Sequence, residues 1–383
     1  MVGDVATTRL PAEVRGPAQG ALLGPRALNR ALLERQLLLR RRDVPVADAL
    51  RYLVGLQSQN PNAPYLALWT RLADFEPDEL ASLVAARKVV RVALMRWTLH
   101  LVTARDCLVL RPVLQPVMER RMRATFGRQL SRVELARLVD LGRALVEEEP
   151  RTLGDVGRLL ATEWPGHEPR VLANALSALT PLVHVPPRGI WGRNGRATQT
   201  TAQRWLGRSL ERDTEPDELV TRYLAAFGPA TVADIRAWSG LTCLGPVIER
   251  LRPQLRSFRD ERGRELLDVL DGPLPDPDTP APVRFLPESD NVVHAHAERS
   301  RIDTEPARRR ALPRTFLVDG FLGGTWRLIR ARRMVSMEIA PFAPLAREDR
   351  VALAEEGMRL LGFLVAGDDD DVRVSVRFVA DDR

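Results

Sequence analysis

The chain has 383 residues, 45% of them hydrophobic, enough for about two or three packed domains, and no run approaches the roughly 20 apolar residues of a membrane span. Its 57 basic against 50 acidic side chains leave a formal charge of +7, which fits an anionic partner. Two cysteines, Cys107 and Cys243, lie too far apart for a zinc ligand pair and too few for a disulfide framework, and both read as small core residues. Lys88 is the only lysine, so the charge is arginine, which grips phosphates bidentately. Arginines crowd the stretch Arg111, Arg120, Arg121, Arg123, Arg128, Arg132, Arg137 and Arg143. This crowding reads equally as a nucleic-acid surface or as solvated helix faces. Residues 1–26 are rich in Pro, Gly and Ala without a compact apolar segment, and are expected to form a flexible arm, with the cytoplasm as compartment.

Taken in order, apolar spacing predicts helices over 28–38 and 44–55, the latter from Val44, Val46, Ala47, Leu50, Leu53 and Val54. The polar loop 55–65 follows, then a helix from Ala63. Glu76-Pro77-Asp78-Glu79 opens another helix through Arg87, with acids in its first turn. Residues 89–102 are β-branched and apolar, and predict two strands joined near Met95 to Trp97. Three helices and a hairpin are a winged-helix order. Residues 103–147 read as helical, broken at Pro112 and Pro116, so a first unit with a helical extension is expected over 27–147.

A second unit, 148–215, repeats helix, helix and hairpin. Its helices open at Thr152 and Glu168, and its strands, 182–185 and Ile190-Trp191, flank the turn Pro186-Pro187-Arg188-Gly189. A third, 216–271, ends in a wing over 255–270 turning at Asp260-Glu261-Arg262-Gly263. Pro150-Arg151-Thr152-Leu153-Gly154-Asp155 and Pro229-Ala230-Thr231-Val232-Ala233-Asp234 share the pattern Pro-x-Thr-apolar-small-Asp, in which the threonine can cap a helix. After the Pro-rich linker 272–280, residues 282–383 predict strands at 283–286, 315–318, 323–328, 334–339 and 371–379, and a helix over 345–364. The expected class is α+β, mainly α: tandem winged-helix units followed by a β-rich, barrel-like region.

Chemistry-bearing residues concentrate in two loops. Gln57 and Gln59, one residue apart, are neutral donors and acceptors that can hold a water or a base edge, or simply satisfy loop backbone. His294-x-His296 with Glu288 and Asp290 lacks a fourth metal partner of recognisable spacing, and no Gly-x-Ser-x-Gly elbow occurs. Gly320-Phe321-Leu322-Gly323-Gly324-Thr325 lacks the lysine of a phosphate loop. Neither metal nor cofactor is expected. His100, in an apolar strand, reads equally as a core histidine or a site residue.

Leu56-Gln57-Ser58-Gln59-Asn60-Pro61, Met95-Arg96-Trp97-Thr98-Leu99-His100-Leu101-Val102, Leu286-Pro287-Glu288-Ser289-Asp290-Asn291, Ala297-Glu298-Arg299-Ser300-Arg301 and Val318-Asp319-Gly320 with Gly324-Thr325-Trp326 resemble the winged-helix DNA glycosylases of the AlkZ and YcaQ group, over roughly residues 27–379. The family's Gln-x-Gln motif maps onto Gln57 and Gln59. Ser58 stands where the middle position is often apolar, and Trp97 where glycine is commoner. The resemblance implies a concave DNA channel and excision of alkylated or cross-linked bases. It makes Gln57 and Gln59 the expected catalytic residues. Arg96, Trp97, His100 and Asn60 are expected to line the pocket or contact DNA, as are Asp290, Asn291, His296, Arg299 and Arg301. With Lys88 as the sole lysine, a Schiff-base lyase step is not expected. The expected partner is double-stranded DNA, alkylated or cross-linked, bound by a monomer without a membrane, in the nucleoid. A DNA-binding protein of the same fold without catalysis, a regulator or a DNA-protecting protein, is the alternative.

Overall fold

Thr152 and Thr231 each end a short extended segment and cap the next helix, their Oγ1 atoms accepting from the N–H groups of Asp155 at 3.2 Å and Asp234 at 3.1 Å. Asp234 completes a capping box by accepting from the Thr231 N–H at 2.9 Å. Arg151–Thr152 pairs with Thr198 and Gln199, and Ala230 bridges Leu267. The repeated hexapeptide thus closes a hairpin's sheet and starts a helix. The computed structural model describes residues 20–212, 214–305, 313–366 and 372–379.

Three successive units share one order: helix, short extended segment, two helices, hairpin. The first comprises Val46–Tyr52, Leu56–Gln57, Ala63–Trp69, Pro77–Ala85 and the hairpin Val89–Ala93 with Leu99–Thr103. The second comprises Leu135–Glu148, Arg151–Thr152, Leu153–Glu163, Pro169–Leu179 and the hairpin Leu182–His184 with Thr198–Thr201. The third comprises Asp217–Phe227, Ala230, Val232–Ser239, Gly245–Leu251 and the hairpin Leu255–Asp260 with Glu265–Val269. Helices Ala104–Val113 and Gln115–Phe126, divided at Leu114 with Pro116 in the second helix's first turn, link the first two units. Val92 pairs with Val183, which fuses the first two hairpins into one six-stranded sheet.

Four expectations are corrected. The second hairpin returns at Thr198–Thr201, not at Ile190-Trp191, because Trp191 is pulled aside to pack between Tyr65, with ring centroids 4.9 Å apart, and Phe363 at 5.3 Å. The C-terminal region is not barrel-like. Its five strands run in the order Arg284–Leu286, Thr315–Val318, Phe321–Ala331, Met334–Pro341, Arg373–Phe378, as an open sheet with Arg347–Val365 crossing over between the last two, parallel strands. Cys107 is in the core as expected, but Cys243 is exposed in the turn before Gly245–Leu251. Part of the expected arm is structured: Leu22–Leu23 pairs parallel to Arg259 and Asp260, while residues 1–19 lie outside the described residues.

The helix that follows, Pro25–Arg35, docks on the third unit. Arg35 is fully buried, bonded to both Asp268 oxygens at 2.5 and 3.0 Å and to the Leu224 carbonyl, and the Gln36 amide donates to the Ala226 carbonyl at 2.7 Å. Among the described residues no helix is long and apolar enough to cross a membrane.

Candidate active site

The Val46–Tyr52 helix ends in a sharp reversal made by two left-handed residues, Val54 at φ +55° and Gly55 at φ +83°. A Cβ on Gly55 would lie 2.5 Å from Val102 Cγ1 and 2.9 Å from the Leu101 carbonyl oxygen, so only glycine lets the chain turn here. The reversal feeds Leu56–Gln57 into antiparallel pairing with Leu101 and His100. Leu56 and Leu101 face the core, and Gln57 stands opposite His100, side chains on one face. The Ser58 N–H extends the ladder by donating to the Leu99 carbonyl at 2.7 Å. Gln57 is half-buried, Ser58 is buried, and Gln59, in the bend that follows the strand, is exposed.

Ser58 is polar in this buried position because Arg91 meets it. The Arg91 guanidinium donates to Ser58 Oγ at 3.0 Å and to its carbonyl at 2.8 Å. Burial, then the charge of Arg188, pulls Arg91 down to about 10, so it remains a cation at neutral pH.

Gln57 is held at both ends. Its N–H donates to Asn291 Oδ1 at 3.4 Å, and Asn291 Nδ2 returns a bond to the Gly55 carbonyl at 2.8 Å. Its side-chain Oε1 accepts from Arg96 Nη2 at 3.1 Å, while Arg96 Nη1 donates to the Trp238 carbonyl at 2.6 Å. With Oε1 engaged, the carboxamide N–H groups point away from Arg96. Arg96 is lowered to about 10 by burial and by Arg121, and stays charged.

His100 is 2% exposed, and its Nδ1 donates to the Thr98 carbonyl at 2.9 Å, which leaves Nε2 as an acceptor. Burial, then the Arg96 charge, drives the imidazole to about 3, so it is neutral at pH 7. Arg96 and Trp97 carry φ of +55° and +59°, a left-handed pair that glycine adopts freely and other residues at about 1–2 kcal/mol each. Trp97 offsets this by packing edge-on against Phe126, centroids 6.4 Å apart.

The 287–291 loop clamps the glutamine loop from above. Asp290 forms a fully buried bidentate pair with Arg71 at 2.7 and 2.9 Å and caps the Val292 N–H at 3.1 Å. Asn60 Nδ2 donates to Glu288 Oε2 at 3.2 Å. The structure therefore gathers Gln57, Gln59, Asn60, Arg96, Trp97, His100, Asp290 and Asn291 at one place. It does not bring His296 and Arg301 there. The His296 Nε2–H donates to the Phe227 carbonyl at 3.0 Å, and Arg301 lies 3.9 Å from Asp234, both in the buried contact between the third unit and the C-terminal region. Arg299 opens the short turn Arg299–Arg301 beside them. Among the described residues no three His, Cys, Asp or Glu side chains converge on a metal position. The supporting Arg71 and Arg91 carried no signal in the sequence, since their partners are distant in it.

The family model for AlkZ-like DNA glycosylases matches residues 50–363, which takes in both loops of this site. The chain belongs to the AlkZ-like DNA glycosylase family. The glycosylase also superposes on the Streptomyces sahachiroi DNA glycosylase AlkZ with a TM-score of 0.71 at 19% identity, covering 94% of this chain and 100% of that one. No curated protein sequence matches it. It is an enzyme that binds DNA and cleaves a base from its sugar.

Of the glycosylase's arginine-rich stretch, Arg111 is buried, donating to Gln115 Oε1 and to the Ala178 carbonyl at 2.9 Å, and the other seven divide into two sets. Arg123, Arg137 and Arg143 pair with Glu119, Glu163 and Glu147, whereas the exposed Arg120, Arg121, Arg128 and Arg132 have no carboxylate partner among the described residues.

Buried histidines make its stability pH-dependent. Like His100, His184 is driven to about 3, by burial and then by Arg91 and Arg188, and burial likewise lowers His296. In the unfolded chain each imidazole takes up its proton near pH 6.5, whereas in the folded chain it does not, so lowering the pH favours unfolding. Going from pH 6.5 to 5.5 is expected to cost about 1 kcal/mol per buried histidine, roughly 3 kcal/mol in all. Denaturant titrations at the two pH values read this directly, and equal midpoints would contradict it.

Proposed function

We propose that this glycosylase excises alkylated purines, with Gln57 and Gln59 placing the attacking water. Alkylation at N7 or N3 makes the base a cation, so the N-glycosidic electron pair leaves with it and neutralises it, without protonation by an acid. The enzyme must then extrude the nucleotide, place a water at C1′ and tolerate oxocarbenium-like charge on the sugar. Water oxygen bonds to C1′ as the C1′–N bond breaks, the base leaves neutral with the bond's electron pair, and the water's proton passes to bulk solvent through neighbouring water, with the glutamines orienting the attacking molecule rather than taking its proton. A neutral carboxamide can orient the water without itself adding positive charge, and the guanidinium of Arg96, the cation beside it, is directed onto Gln57 Oε1 and the Trp238 carbonyl.

The observation that carries the proposal is the fixation of Gln57 by Arg96 and Asn291, opposite a neutral His100. A pure DNA binder has no use for so constrained a carboxamide. Lys88 supports a monofunctional reaction: it precedes Val89 at the far end of the strand from the hairpin tip, four residues or ~13 Å from Val92, which pairs with His100. We further propose that the three repeated units are winged helices, which presents their helices to a duplex. The same cleavage at one end of a purine–purine cross-link would unhook the two strands.

Incubation with duplex DNA carrying N7-methylguanine is the test. Free N7-methylguanine and an abasic site are expected, with no adduct trapped by borohydride. Intact substrate after prolonged single-turnover incubation would reject N7-alkylpurine excision.

A further inference from the structure

The hairpin tip Met95–Trp97 is wedged between the helices Gln115–Phe126 and Val232–Ser239. Beside it these two helices bound an open groove of about 410 Å³, walled by Arg120, Arg121, Arg236 and Thr242 and floored by the small Ala233 and Ala237. Its charges are uncompensated. Arg120 is braced by the Gly240 carbonyl and by Thr242 Oγ1 at 3.4 Å, Arg121 by the Arg96 carbonyl at 2.8 Å, and none of the three arginines has a carboxylate partner among the described residues. Elsewhere on this surface, exposed arginines of the same helix do pair, as Arg123 does with Glu119. Like charges gathered around one opening repel each other in the empty state, and an anion seated among them relieves that repulsion.

We propose that this groove seats a phosphate of the DNA strand close to the extruded nucleotide. Its place relative to the reaction follows from Arg96. The Arg96 main chain accepts from Arg121, and its guanidinium reaches Gln57 Oε1 at 3.1 Å, so the groove lies one arginine side chain from the carboxamide that acts at C1′. A phosphate there belongs to the lesion's own strand, within about two nucleotides of it, given an arginine's reach and a rise of about 3.4 Å per nucleotide. Two braced guanidiniums and one free to turn, Arg236, suit bidentate capture of a phosphodiester. The inference rests on the glycosylase reading of Gln57 only for the location of the lesion, not for the binding itself.

The test uses the full-length protein and duplex DNA containing the stable 2′-fluoro form of N7-methyldeoxyguanosine. For Arg120→Gln with Arg236→Gln, the slope of log affinity against log salt is expected to fall by about 0.9, one phosphate's worth. Arg123→Gln with Arg137→Gln removes the same two charges outside the groove, from arginines already paired with Glu119 and Glu163, and is the control, expected to leave the slope unchanged. Single neutral methylphosphonates walked along the lesion strand then locate the seat. One position within about two nucleotides of the lesion should weaken wild-type binding yet cost the double variant nothing more, the coupling expected of direct partners. A double-variant slope equal to the control's, or strictly additive effects at every position, would overturn the proposal. Failure of wild-type enzyme to release base would reject the excision reading while leaving these binding measurements to decide the groove.

Discussion

Glycosylase carrying both Gln57→Ala and Gln59→Ala is expected to bind alkylated duplex as wild type does and to release base about 10²–10³-fold more slowly in single turnover. Removing one oriented donor or acceptor from a transition state costs a factor of this size, and both substitutions leave the net charge untouched, so the phosphate contacts that dominate affinity persist. The two residues are not equivalent. Gln57 is fixed by Arg96 on its side chain and Asn291 on its backbone, whereas Gln59 is exposed in the bend that follows. Gln57→Ala should therefore be the more damaging single change, because prepaid orientation is what an immobilised group contributes. Since both act on one water, the double variant should fall short of the product of the singles. Folded double variant that excises at the wild-type rate would remove the glutamines from the mechanism.

Much of this site was legible locally. A β-branched stretch interrupted at Met95–Trp97 gave the hairpin, and its register sets His100 opposite Gln57. The Thr-x-x-Asp caps marked where the second and third units restart, because a cap is a contact between residues three apart. What escaped were contacts that periodicity does not encode. Trp191 leaves its hairpin for Tyr65 and Phe363, Arg35 crosses 233 residues to Asp268, and Asn291 reaches back 234 residues to Gln57. The resemblance in sequence supplied the 287–291 loop, but not the reason for it. That reason is the pairing of two polar loops, each of which buries groups the other satisfies. Ser58 shows the same logic at one residue: an oddity alone, it is accounted for once Arg91 is seen beneath it. His296 and Arg301 sit in motifs near the site in sequence, yet they serve the joint with the third unit, where Asp234 faces them.

The largest expected effect on stability follows from Asp290. It and Arg71 are both fully shielded from solvent and joined by two bonds, so neither charge has water to fall back on. Asp290→Ala leaves the guanidinium buried with only the Ala67 carbonyl at 3.1 Å, and breaking such a pair from one side costs about 3–5 kcal/mol. It also strips the cap from Val292 and loosens Asn291, the residue that holds the Gln57 backbone, so excision should fall along with stability. Melting temperature should drop by roughly 4–6 °C for a chain of this size. The pair itself is expected to add little net stability, since the Coulomb gain is largely cancelled by desolvation. Replacing both partners, Arg71→Met with Asp290→Leu, should therefore recover most of the lost melting temperature without restoring excision, because an apolar pair fills the space but cannot cap Val292 or orient Asn291. Calorimetry on the three variants separates the terms. If Asp290→Ala melts with wild type, the ion pair does not anchor the loop, and the fixation of Gln57 must come from Arg96 alone.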